Sequence, residues 1–182
     1  MRRVGLGTLV AAMLVLLTAA TAQAVTYQVT TTADSSAGDA NCTASACTLR
    51  QAINAADAAG AGIVNVPAGI YTLTAGALRI INANLTLAGA GAGAGGTVID
   101  GDGKTGVLYV TGVRVGSVAN LRLSGVTITG GWDTAGGGIL VNLQSTVALT
   151  DDVLTANTAN TGQGARSMSP LGATRSASPV RP

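Results

Sequence analysis

Short runs in which apolar and polar residues alternate organise most of this chain. Val25-Thr26-Tyr27-Gln28-Val29-Thr30 has the period of a half-buried strand, and the turn-rich residues 33–41 close it. From Ile63 onward the same pattern returns in pieces of three to five residues, among them Ile63-Val64-Asn65-Val66, Ile70-Tyr71-Thr72-Leu73-Thr74, Thr97-Val98-Ile99-Asp100 and Val126-Thr127-Ile128-Thr129. Gly, Asn or Asp stands at nearly every break. Between these regions the period changes. Leu49, Ala52, Ile53 and Ala56 recur at i, i+3, i+4 and i+7, which predicts a helix of about a dozen residues with one apolar face. Thr48 and Gln51 fit a capping box at its start, and Gly60 and Gly62 end it.

Some strand units return with similar wording. Asn84-Leu85-Thr86-Leu87-Ala88-Gly89 is echoed by Asn120-Leu121-Arg122-Leu123-Ser124-Gly125 and by Thr146-Val147-Ala148-Leu149-Thr150-Asp151. Leu121 and Val147 are 26 residues apart, inside the range of solenoid repeats, whereas Leu85 and Leu121 are 36 apart. The Gly-Ala run at 88–96 is the insertion expected to account for the difference. A β-sandwich also uses short strands, but the breaks here lack the Asn-Gly type of two-residue turn that hairpins favour. Matched Thr and Asn positions further suggest ladders between stacked turns of chain. The expected fold class is therefore all-β, a short parallel β-helix with a capping α-helix at its N-terminal end.

Composition narrows the chemistry. The 182 residues include no His, no Phe, no Glu and a single Lys. Without His, serine–histidine and cysteine–histidine hydrolases and His-ligated zinc are excluded. The formal charge of +2 comes from the two ends of the chain, since residues 25–161 carry five basic residues against eight Asp. Such a body has no basic stripe, and no nucleic-acid partner is expected.

Arg2 and Arg3, an apolar run over residues 9–20 and Ala22-Gln23-Ala24 have the order of a signal peptide cleaved after Ala24. A retained anchor is the other reading, although the run falls short of the roughly 20 residues a spanning helix needs. The expected location is secreted or cell-surface, with no membrane span once the leader is removed. In that setting Cys42 and Cys47, the only cysteines, read as a local disulfide. The expected division is leader 1–24, N-terminal strand and helical cap 25–62, β-helix 63–161 and tail 162–182. The tail carries three Arg and three of the four Pro, and reads either as a disordered segment or as a shift of reading frame near Gly162.

Cys47-Thr48-Leu49-Arg50-Gln51-Ala52-Ile53 resembles the Cys-Ser-Leu-Arg-Glu-Ala motif of a family of bacterial secreted proteins. The resemblance extends to Val66-Pro67-Ala68-Gly69-Ile70-Tyr71-Thr72-Leu73, Val98-Ile99-Asp100-Gly101 and Val126-Thr127-Ile128-Thr129-Gly130-Gly131, and covers about residues 25–161. It implies a pectin-lyase-like right-handed parallel β-helix, often cell-surface attached. Gln51 departs from the motif's Glu, and the chain has only about three rungs.

Candidate chemistry is thin. Asp100 and Asp102 could contribute to a calcium site, but Asp-Gly is also an ordinary turn. Asp100, Asp133 and Asp151 could line up on one stack of turns, near Arg122, as the carboxylates that polysaccharide hydrolysis or lysis would require; turn stabilisation is the simpler explanation of each. Trp132, the only Trp, could stack on a sugar ring or cover the end of a short core. No cofactor is expected. These residues point to a secreted or cell-surface structural and adhesive module. Its partners would be extracellular polysaccharide and, through an open β-helix end, other copies of the chain. The rival expectation is a polysaccharide lyase or glycoside hydrolase, or a truncated relative of one.

Overall fold

The computed structural model describes residues 24–113 and 118–160. Apart from Ala24, the expected leader lies outside the described residues, as does the expected tail. The elements in chain order are β1 (Thr26–Gln28), α1 (Leu49–Ala58), β2 (Ala61–Val66), β3 (Gly69–Thr72), β4 (Leu78–Ile81), β5 (Asn84–Gly89), β6 (Thr97–Asp100) and β7 (Leu108–Thr111). They continue with β8 (Ala119–Ser124), β9 (Val126–Thr129), β10 (Trp132–Asp133), β11 (Ile139–Asn142), β12 (Ser145–Thr150), β13 (Val153–Leu154) and β14 (Thr158–Ala159). The chain is thus mostly strand with one helix among the described residues.

Every pairing between these strands is parallel. The first sheet has the order β1-β2-β5-β8-β12, the second β13-β9-β6-β3 and the third β11-β7-β4, with β10 and β14 forming a small two-stranded pair. From β2 on, the chain visits the first, second and third sheets in turn and then returns to the first, one strand further along each time. Parallel neighbours need such long returns, because a tight turn joins only antiparallel strands.

The register follows the echoes in the sequence. Leu85 pairs with Leu121 and Leu121 with Val147. One step earlier Val64 pairs with Leu87, 23 residues on. The long step of 36 arises at two corners. Seven residues separate β5 from β6, including much of the Gly-Ala run, where β8 and β9 are separated by Gly125 alone; a second extension lies between β7 and β8.

Alternation within strands decides what is buried. In β2, Val64 and Val66 point inward, while in β5 and β8 it is Leu85 and Leu87, then Leu121 and Leu123. Because the ladders are in register, like side chains stack on like, and Val64, Leu87 and Leu123 form one buried row. Ile80 and Val110 do the same on the third sheet, and Ile99 and Ile128 on the second. Burying one such aliphatic side chain stabilises by roughly 1.5 to 3 kcal/mol, so this shared interior, with little aromatic content, carries the fold.

Helix α1 spans ten residues and buries Leu49, Ala52, Ile53 and Ala56. It packs on β2, β4 and β5. Its end differs from the expectation in detail. Ala59 is the C-cap, Gly60 follows with φ of +77°, and Gly62 already belongs to β2.

Candidate functional site

The segment that resembles the secreted-protein motif has a job for nearly every residue. Cys47 is joined to Cys42 by a disulfide. The backbone amide of Cys47 donates to Thr30 Oγ1 at 2.9 Å, while the Thr30 amide donates to the Cys47 carbonyl at 2.9 Å, which ties this point to the strand that opens the chain. Thr48 Oγ1 accepts from the Gln51 amide at 3.1 Å, and Gln51 Oε1 accepts from the Thr48 amide at 2.8 Å, so the capping box is reciprocal. Gln51 also spends its amide group, since Nε2 donates to Asp39 Oδ2 at 2.8 Å.

Arg50 is the centre of the assembly and is only 4 % exposed. Its Nε and Nη2 donate to the two carboxylate oxygens of Asp34 at 2.8 and 3.0 Å, while Nη1 and Nη2 reach the carbonyls of Ala77 at 3.1 Å and Gly76 at 2.6 Å. Asp34 Oδ2 in turn accepts from the amides of Thr74 at 2.7 Å and Ala75 at 3.0 Å. Burial by itself would raise the Asp34 carboxyl. The hydrogen bonds from Arg50 and the two amides, with the guanidinium charge, outweigh it and hold the group at about 2, against an ordinary 3.8. A bidentate Arg–carboxylate pair of this kind fixes orientation as well as charge. The lock joins the N-terminal segment, the helix and the corner between β3 and β4.

The candidate carboxylates share no ladder. Asp100 ends β6 and pairs with Thr72 and Thr129, so its neighbours above and below are threonines. Its Oδ1 accepts from the Asp102 amide at 2.8 Å. Asp133 lies on β10 opposite Ala159, where its Oδ1 accepts from Thr134 Oγ1 and the Ala135 amide. Asp151 is exposed in the turn after β12 with φ of +55°. Arg122 projects from the middle of β8 between Thr86 and Ala148. No ladder therefore brings the three carboxylates together. Asp102 pairs with the exposed Lys104. Among the described residues, no three acidic or cysteine side chains gather as a metal-sized group.

Trp132 is 42 % exposed on β10, so it stands outward and does not roof the core. The third sheet carries a group of outward residues that sequence reading missed. Arg79 of β4 lies with its guanidinium carbon 4.7 Å from the centroid of the Tyr109 ring on β7, directly across the ladder. Asn142 of β11 donates to the Tyr109 hydroxyl at 3.4 Å. That hydrogen bond first, then Thr111 and the charge of Arg79, pull the Tyr109 phenol below its ordinary value. The signal was the alternation Leu78-Arg79-Ile80, hidden because Ile81 breaks it after three residues. On the first sheet a polar row runs along the stack as well: Asn120 Nδ2 donates to Asn84 Oδ1 at 2.6 Å, and Thr146 Oγ1 donates to Asn120 Oδ1.

Comparison of the chain with protein-family models, with curated proteins and with solved structures found no match.

Proposed function

We infer that the chain is a secreted or cell-surface structural and adhesive module built on a short right-handed parallel β-helix, with α1 as the cap at its N-terminal end. The observation that carries this reading is the visiting order of the strands. Three sheets entered in the same sequence, all parallel and in register over three returns, are the faces of a coil, and crossovers between parallel strands are right-handed in nearly all proteins. The resemblance of Cys47-Thr48-Leu49-Arg50-Gln51-Ala52 to the bacterial secreted motif agrees with it, and the Cys42–Cys47 disulfide fits an oxidising compartment. Among the described residues no helix is long and apolar enough to cross a membrane.

Adhesion is the part of the function that the outer faces support. A coil of this kind offers flat, polar, repetitive surfaces. The third sheet adds an aromatic ring, a cation with no carboxylate partner among the described residues and an amide within one small area, the groups that hold a saccharide by stacking and hydrogen bonds. Extracellular polysaccharide is the partner this surface suits, and association of copies through the far end belongs to the same reading.

The test is binding without turnover. Chain purified from the medium of a secreting host is presented to immobilised neutral and uronic-acid polysaccharides, with soluble fragments analysed for cleavage. Retention that falls at least tenfold in Tyr109→Ala and Arg79→Ala, with no fragment released, is the expected result. Cleavage that disappears in Asp133→Ala or Asp151→Ala would replace this reading with the enzymatic one.

A further inference from the structure

An asparagine followed two residues later by a hydroxyl is the acceptor pattern for an N-linked saccharide in exported proteins, where the glycan stands on a surface loop. Of the nine Asn in the chain, two have it, in Asn41-Cys42-Thr43 and Asn84-Leu85-Thr86. The fold treats the two in opposite ways.

Asn84 opens β5, which is paired on both sides, with β2 and with β8. Its carboxamide oxygen accepts from Asn120 Nδ2 at 2.6 Å, and Leu85, between the acceptor and the hydroxyl, is 2 % exposed. A transferase must hold Asn and Thr together in its own groove. It cannot do so while both edges of the strand are spent on neighbours.

Asn41 lies in the connection from β1 to α1, where residues 29–48 contain no strand or helix. Asn41 and Thr43 are both exposed. The Asn41 backbone amide donates to Asp39 Oδ1 at 3.0 Å, and its carboxamide meets the same carboxylate. Thr43 Oγ1 donates to the Ala46 carbonyl at 3.1 Å and accepts from the Ala46 amide at 3.0 Å, a local tie that opens without disturbing any strand. The segment rests on α1 away from its buried face. There Gln51 Nε2 holds the Asp39 carboxylate and Asn54 Nδ2 donates to the Asp39 carbonyl at 2.7 Å.

We propose that Asn41 is an acceptor site for an N-linked saccharide, delivered from a polyprenyl-diphosphate donor when the chain is exported. The inference rests on the secreted part of the reading above and is independent of the adhesive part. In the transfer, Asn41 Nδ2 bonds to the anomeric carbon of the saccharide as the bond from that carbon to the diphosphate oxygen breaks. The lipid diphosphate leaves with the electron pair, the displaced Nδ2 proton passes to a base of the transferase, and nothing is oxidised or reduced.

The experiment expresses the full chain, leader included, in a host without N-linked transfer. Folded chain from the medium is incubated with a purified single-subunit transferase that requires only Asn-x-Ser/Thr and with its lipid-linked oligosaccharide. Synthetic peptides of residues 37–46 and 81–89 serve as unfolded references, and the products are mapped by mass spectrometry. The expected result is glycan on both peptides and on Asn41 of the folded chain, with Asn84 modified at least tenfold less in the fold than in its peptide. Modification of Asn41 is lost in Asn41→Gln and in Thr43→Ala and returns in Thr43→Ser, each variant keeping the far-UV circular dichroism of the parent. A folded chain left unmodified at Asn41 while the peptides are glycosylated overturns the proposal and leaves secretion standing. Equal modification of Asn41 and Asn84 in the folded chain overturns the selection by the fold. A chain retained in the cell with its leader overturns the secreted reading and the inference together.

Discussion

Asp34 and Arg50 show how one ion pair can govern a whole end of the molecule. Both side chains are 4 % exposed, so neither charge is left to water, and every oxygen of Asp34 has a donor. The folded carboxyl sits at about 2 and the ordinary value is 3.8. A group whose folded value is depressed contributes stability that is present above the ordinary value and is lost as pH falls from about 4 to about 2. The difference corresponds to about 2 kcal/mol. The melting temperature should therefore fall across that window in the wild type, and this acid limb should shrink in Asp34→Asn, as thermal melts at a series of pH values would reveal. Asp34→Asn should also cost about 3 to 5 kcal/mol at neutral pH, because it leaves the buried guanidinium without a counter-charge. Arg50 was visible in the sequence only as a member of a helix-opening motif. Its partner lies sixteen residues upstream in a turn-rich stretch with no periodicity, and its other acceptors are backbone carbonyls at Gly76 and Ala77, which no sequence pattern marks.

The elements owe their positions to corners as much as to strands. Thr97 begins β6 fully buried. Its hydroxyl donates toward the carbonyls of Val66 at 3.0 Å and Pro67 at 3.1 Å and accepts from the Ala90 amide at 2.8 Å. It therefore ties the corner between β2 and β3 to the corner between β5 and β6. Thr97→Val keeps the shape and the strand propensity but leaves these groups unpaired, which should cost about 1 to 3 kcal/mol in a denaturant titration. Gly89 ends β5, where an added Cβ would stand 2.3 Å from the carbonyl oxygen of Gly125. Backbone cannot yield there as a side-chain tip could, so Gly89→Val should destabilise by about 3 kcal/mol or more and should open the first and second sheets at that level. Amide exchange would localise the effect to β5, β6, β8 and β9. At this scale strands bounded by turn residues were legible, since Thr97-Val98-Ile99-Asp100 and Val126-Thr127-Ile128-Thr129 coincide with β6 and β9. The two-residue strands β10, β13 and β14 were not, because two residues have no period to read. Helix α1 was legible because four buried positions and a capping box agree on one face.

For the whole molecule, the matched wording of residues 84–89, 120–125 and 146–151 anticipated the stack, and the register unites them in one ladder. What the wording could not provide was the path between them, since residues at unlike spacings meet only when the corners absorb the difference. That is also why the three candidate carboxylates share no ladder, with Asp100 on β6, Asp133 on β10 and Asp151 in the turn after β12. The measurement that tests the coil most directly is a pair of engineered cross-links read on a non-reducing gel after mild oxidation. Neighbouring parallel strands lie about 4.8 Å apart, within disulfide reach, so Asn84→Cys/Asn120→Cys should close into one species that runs faster than its reduced form, while Asn84→Cys/Thr146→Cys, two strands apart, should stay open. Failure of the first pair with closure of the second, or closure of neither in a folded chain, would contradict the stacked coil.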